Sequence, residues 1–167
     1  MHIPSGASQT IDILPFEEAL GLSGRGEDYD SGRWLYVPDF YTEYRYILGT
    51  RGSNPLICIG INPSTAEPDN LDNTLKSVAR IAEGNGFDSW IMFNVYAQRA
   101  TRPDDMDREM NRRLHGENMA AFEYILRGVA QGLRPAVWAA WGTIIEKRPY
   151  LPCLLYTSPS PRDPKTS

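Results

Sequence analysis

The sequence predicts an α/β protein: a three-layer α/β/α sandwich with a mostly parallel central sheet. Three observations carry that expectation. Apolar runs of strand length recur at residues 56–61 (LICIGI), 89–95 (SWIMFNV) and 135–141 (PAVWAAW); amphipathic helical stretches separate them; and each run ends in a polar or glycine-containing loop. Unbroken apolar runs suit strands covered on both faces, and strands alternating with helices imply parallel crossovers.

Taken in order, residues 1–33 are rich in Gly, Ser and Asp, with a short helical candidate at 16–20, and read as a loosely ordered lead-in with His2 at its mobile start. Residues 34–152 form a single α/β domain. Aromatics and β-formers in residues 34–48 suggest one or two strands, and Pro38, which lacks an N–H, confines the first to an edge. A turn at 51–55 leads into the buried strand 56–61. Asp72 then caps a helix over 72–83 that presents Leu75, Val78, Ala79 and Ala82 on one face and stops at Gly84 and Gly86. The second buried strand, 89–95, leads through a polar loop at 96–105 to a helix over 117–130, whose apolar face carries Met119, Phe122, Ile125, Leu126 and Val129. A third buried strand at 135–141 precedes Gly142 and a helix candidate at 143–147. The stretch CLLYTSPSPRD, residues 153–163, resembles a translated sequencing-library adapter of the transposase type; residues 153–167 are therefore expected to be non-native, and the domain incomplete at its C-terminus. A natural Ser/Pro-rich tail is the rival reading.

Composition narrows the function classes. At 167 residues the chain is one domain; 41% hydrophobic and 23% charged residues suit a globular protein. The net charge of −4 gives no general electrostatic hold on nucleic acid, so any such contact needs a local patch. No run of 18 apolar residues occurs, and the start lacks the basic and apolar segments of a secretory signal, so a cytoplasmic protein without a membrane segment is expected. Two cysteines, no CxxC and no His pair argue against a metal centre; Glu67, Asp69 and Asp72 are irregularly spaced for one. P-loop, GxGxxG and GxSxG patterns are absent, so neither a cofactor nor a serine nucleophile is expected.

In open α/β sheets ligands bind beyond the carboxyl ends of the strands. Three such ends carry polar residues: Asn62-Pro63-Ser64-Thr65, the segment 94–101, and Trp141-Gly142-Thr143. Asn62, held extended by Pro63, is suited to orienting water or a carbonyl, or else to capping local backbone. Ser64 and Thr65 offer a cradle for a phosphate or a base edge. Asp72 and Thr74 face a ligand or cap the helix, with capping the simpler role for Asp72. Asn94 interrupts an apolar strand and needs partners there, which points to ligand recognition. Arg99, Thr101 and Arg102 make a compact cationic loop, which either grips an anion or pairs with nearby acids.

RYIL, IGINPSTA, LDNT, NVYAQRAT, GEN and AAWG, in that order, resemble the DUF1643 family. More distantly, GINP resembles the water-activating motif of the uracil-DNA glycosylase superfamily, IMFNV the strand that bears its base-reading Asn, and AVWAAWG the next core strand. That resemblance implies a glycosylase-like fold, a water-positioning Asn62, a base-binding Asn94 and a nucleobase-containing ligand, with DNA as one carrier. The iron-sulfur cysteines of some members have no counterpart, and neither does the superfamily's His-Pro-Ser loop; with the final strand and that loop replaced, little or no turnover is expected of this chain. Two functions follow: hydrolysis of an N-glycosidic bond at a modified or deaminated base in DNA or a nucleoside or nucleotide, or non-catalytic nucleotide or nucleic-acid binding at the same strand-end pocket.

Overall fold

The computed structural model describes residues 1–4, 12–24, 28–129 and 136–140. Its elements are α1 (Phe16–Leu22), β1 (Trp34–Val37), β2 (Ile47–Thr50), β3 (Pro55–Gly60), α2 (Asn73–Gly84), β4 (Ser89–Asn94), a 3-10 turn (Pro103–Asp105), α3 (Arg112–Tyr124) continued by a π-helical stretch (Ile125–Val129), and β5 (Ala136–Ala139). The helix candidate at 143–147 and the tail from 153 lie outside the described residues.

The strands form one mixed sheet in the order β1-β2-β4-β3-β5. β3 runs parallel to both β4 and β5, whereas β1 pairs antiparallel with β2 and β2 antiparallel with β4. The expectation of a mostly parallel sheet is corrected accordingly. Two antiparallel strands, linked through residues 38–46 without a helix, extend the parallel unit on its β4 side. Their docking depends on Gly49: a Cβ there would fall 2.4 Å from the Trp90 carbonyl oxygen, so the β2 backbone meets β4 this closely only without a side chain. Pro38 follows an edge strand, as its missing N–H suggested.

Alternate strand residues feed two cores. Leu35, Val37, Ile57, Ile91 and Phe93 pack with Phe16 and Ala19 of α1 and with Leu114, Ala121 and Phe122 of α3. Trp34, Tyr36, Leu56, Cys58, Trp90 and Met92 face the other way, onto Leu75, Val78 and Ala82 of α2. Helix α2 starts where Asp72 Oδ1 accepts the Leu75 N–H at 2.9 Å. Helix α3 starts five residues before the expected 117, capped by Asn111, whose Oδ1 accepts the Leu114 N–H at 3.1 Å.

One other expectation changes. The run 135–141 is expected as a buried strand, yet among the described residues β5 (Ala136–Ala139) ends the sheet and all four of its residues are exposed, Val137 at 50% and Trp138 at 38%. An apolar run does not distinguish an edge from a centre. His2, placed at the very start of the lead-in, is buried: its backbone exchanges hydrogen bonds with Thr101, and its Nδ1 lies 2.6 Å from the Tyr41 hydroxyl. Among the described residues no helix is long and apolar enough to cross a membrane.

The chain leaves β3 for α2 on one face and β4 for α3 on the other. Adjacent parallel strands whose connections diverge in this way open a crevice at their carboxyl ends.

Candidate functional site

That crevice is a pocket of about 270 Å³, lined by Asn62, Pro63, Ser64, Asp72, Thr74, Asn94 and Thr101 from the polar positions singled out above, together with Arg45, Gly60, Met92 and others. The two strand-end carboxamides therefore share one cavity. Thr65 is not part of the lining, Arg99 lies behind it, and Gly142 falls outside the described residues.

Asn94 ends β4 opposite Gly60 of β3. Its side chain is on the α2 face, following Trp90 and Met92 at alternate positions, and the residue is 1% exposed. Among the described residues neither Nδ2 nor Oδ1 has a hydrogen-bond partner. Leaving a buried polar group unsatisfied costs about 1–3 kcal/mol, so this amide is placed at the expense of stability unless something else satisfies it. From the opposite face of the sheet, Asn118 of α3 donates through Nδ2 to the Asn94 carbonyl at 2.8 Å, which fixes the backbone behind the amide.

Asn62 is anchored differently. Its Nδ2 donates to the Ala100 carbonyl at 2.8 Å and to the Pro63 carbonyl at 3.0 Å. With both amide protons committed, Oδ1 is the atom left to face a ligand or a water molecule. Further bonds lock the loops together: Ala100 N–H donates to Pro63 O at 2.8 Å, and Ser64 Oγ donates to Thr101 Oγ1 at 3.0 Å, an oxygen that also accepts the His2 N–H.

Arg99 is fully buried and serves the loop 62–66 as a brace. Its Nη1 donates to the Ser64 and Ala66 carbonyls, its Nη2 to the Tyr36 hydroxyl at 3.1 Å, and the guanidinium lies 4.0 Å over the Tyr41 ring. Arg102, from the same loop, is exposed and outside the lining. Arg45 is the functional candidate that sequence reasoning missed. It is 2% exposed and lines the pocket, and among the described residues its side chain makes one hydrogen bond, from Nη1 to the Ala66 carbonyl at 3.3 Å, while its Nε has none. Burial, followed by the neighbouring Arg99 charge, pulls its pKa down to about 9; Tyr36 and Asp72 oppose the shift. Burial likewise lowers Arg99. Among the described residues no carboxylate forms an ion pair with either guanidinium. Both residues sit in stretches quoted above, Arg45 opening RYIL and Arg99 within NVYAQRAT, but a single Arg among aromatics carries no signal of burial.

Among the described residues no cluster of three or more His, Cys, Asp or Glu side chains is placed to hold a metal ion. Cys58 is buried, and desolvation raises its thiol pKa to about 12, so it is an unreactive core residue.

Fold and site together define an α/β protein with an amide-lined, arginine-backed pocket at the carboxyl ends of two parallel strands. The chain belongs to the DUF1643 family, a protein family of unknown function, whose family model matches residues 45–151. No match was found among the curated proteins or among the solved structures.

Proposed function

We propose that the pocket recognises a nucleobase and that the protein hydrolyses the N-glycosidic bond attaching it to a sugar, the base being a modified or deaminated one in DNA, a nucleoside or a nucleotide. The observation that carries this is the buried Asn94 carboxamide with both polar atoms unpartnered at the pocket wall. One donor beside one acceptor complements the amide edge of a pyrimidine-like base. A cavity of about 270 Å³ suits a small ligand, being near the lower end of the ~300–1,000 Å³ range of ligand pockets.

Asn62 supplies the second half of the chemistry. Its Oδ1 accepts a hydrogen bond from water and directs the water oxygen at the sugar C1′; the C1′–N bond breaks with its electron pair passing to the base, and the water proton is released to solvent. Asn94 Nδ2 hydrogen-bonds the base as negative charge develops on it. The arrangement of helices on both sheet faces, with Asn62 just past β3 and Asn94 closing β4, also supports a three-layer, glycosylase-like reading.

A second reading, binding without turnover, draws on Asp72, the acid among the pocket-lining residues. Its Oδ1 is committed to capping α2 and is poorly placed to act as a general base. Incubating excess protein with modified nucleosides, nucleotides and oligonucleotides tests both. Slow base release that is abolished in Asn62→Ala and Asn94→Ala supports hydrolysis. Asn94-dependent binding without release supports the binding module, and a folded protein that binds none of these ligands overturns both.

A further inference from the structure

Arg45 is the unexplained group in the pocket. A guanidinium has five N–H donors in a rigid fork, and this one uses a single long bond, to a carbonyl already shared with Arg99. Two cations so close, both buried, repel each other and forgo hydration; a fold tolerates that where an anion completes the arrangement. Asp72 lines the same cavity and offsets part of the charge, but it does not pair with Arg45 and its Oδ1 caps α2. The Arg99 guanidinium is fixed by two carbonyls, the Tyr36 hydroxyl and the Tyr41 ring, which leaves Arg45 as the charge that meets the cavity.

We propose that Arg45, backed by Arg99, is an oxyanion subsite, and that the ligand is a small molecule carrying a terminal phosphate or carboxylate together with the base edge that Asn94 recognises. The inference rests on the nucleobase reading above and narrows it to anionic monomers. A nucleoside monophosphate and a carboxylated pyrimidine share the required chemistry. A chain-internal phosphodiester does not fit it, because the Arg45 side chain is 2% exposed and a polymer must continue past the bound phosphate on both sides.

Calorimetric titration of the full chain tests this with nucleoside 5′-monophosphates, the matching nucleosides, a pyrimidine carboxylate, inorganic phosphate and a short single-stranded oligonucleotide. At least one anionic monomer is expected to bind ~10-fold or more tighter than its neutral counterpart, the gain of about one charge-assisted hydrogen bond, and tighter than the oligonucleotide. Which anion gains identifies its source. Arg45→Gln should erase the gain, so that charged and neutral ligands bind alike; Arg45→Lys should restore part of it. Asn94→Ala should remove discrimination between bases and leave the preference for the anion. Equal affinity of charged and neutral ligands in the native chain, which needs no variant, overturns the subsite, as does tighter binding of the oligonucleotide. Arg45-dependent binding of inorganic phosphate with no preference among bases upholds the subsite and refutes the nucleobase reading; Asn94-dependent nucleoside binding without any gain from an anion does the reverse.

Discussion

Gly60 of β3 and Asn94 of β4 are register partners, and the space a side chain would take at the first is next to the amide oxygen of the second. A Cβ built on Gly60 would lie 2.8 Å from Asn94 Oδ1 and 2.5 Å from the Met92 methyl. The glycine thus acts as a spacer that lets a buried amide lie flat against the neighbouring strand. In Gly60→Ala the Asn94 side chain must move, and overpacking of this kind costs about 1–3 kcal/mol. A lowered urea midpoint together with lost binding of nucleobase ligands is expected. A variant that is less stable but binds normally would show that the position of Asn94 is irrelevant to recognition.

Asn94 itself should show stability and function pulling apart. Its two unpartnered atoms weaken the fold, so Asn94→Leu, of similar size and without polar atoms, is expected to be as stable as the native chain or up to ~2 kcal/mol more stable, while binding no base. Chemical denaturation monitored by tryptophan fluorescence measures the first quantity and titration calorimetry the second. A destabilised Leu variant would mean that the amide is satisfied in solution.

The parts of this site legible in the sequence are those written locally. An amide at the end of an apolar run marks Asn62 and Asn94, and a capping acid before a 3.6-residue periodicity marks α2, with Asp72 in its capping role. What was not legible depends on pairing between distant segments. Nothing near Arg45 says that it turns in beneath the 62–66 loop, since a charged residue among aromatics reads equally well as the outward side of an edge strand. The antiparallel placement of β2 beside β4 is decided by a close approach at Gly49, and glycine in a strand has many other uses. The start of α3 is obscured by Arg112, Arg113, His115 and Gly116, which blur the apolar stripe until Met119. Asn118, the last residue of the GEN stretch, is explained only by the β4 backbone it supports.

Asp88 makes a prediction about acid stability. Its carboxylate accepts the Ser53 and Asn54 N–H groups at 2.9 and 2.8 Å and the Ser53 and Ser89 hydroxyls at 2.9 and 2.8 Å, tying the turn before β3 to the start of β4. The Asn54 N–H, followed by the Ser89 hydroxyl, holds its pKa below the ordinary 3.8. A carboxylate depressed in the folded state contributes stability that is complete above the unfolded value and disappears as pH falls through the folded one. Urea midpoints measured from about pH 5 down to about pH 2 should therefore fall less steeply in Asp88→Asn than in the native chain, and the variant should be the less stable of the two at pH 5. Parallel acid limbs would show that these hydrogen bonds do not persist in solution.

Asn62 allows a sharper test, because its two side-chain atoms have different surroundings. Nδ2 faces two carbonyl oxygens, so only a donor can occupy that place, and Oδ1 is left to the cavity. Asn62→Asp puts a carboxylate oxygen against both carbonyls, and the repulsion should swing the side chain away or loosen the 62–66 loop; Asn62→Ala loses two hydrogen bonds but introduces no clash. The aspartate variant is accordingly expected to be the less stable at neutral pH, by about 1 kcal/mol or more, and to recover relative to the alanine variant as the pH is lowered and the carboxyl acquires a proton to donate. If the residue served merely to polarise water from any orientation, aspartate would be an adequate or better substitute, with turnover preserved and stability equal to that of alanine. Parallel measurement of the two variants at neutral and acid pH separates a fixed donor frame from a free carboxamide, and with it decides whether Oδ1 is held in a defined direction toward the ligand.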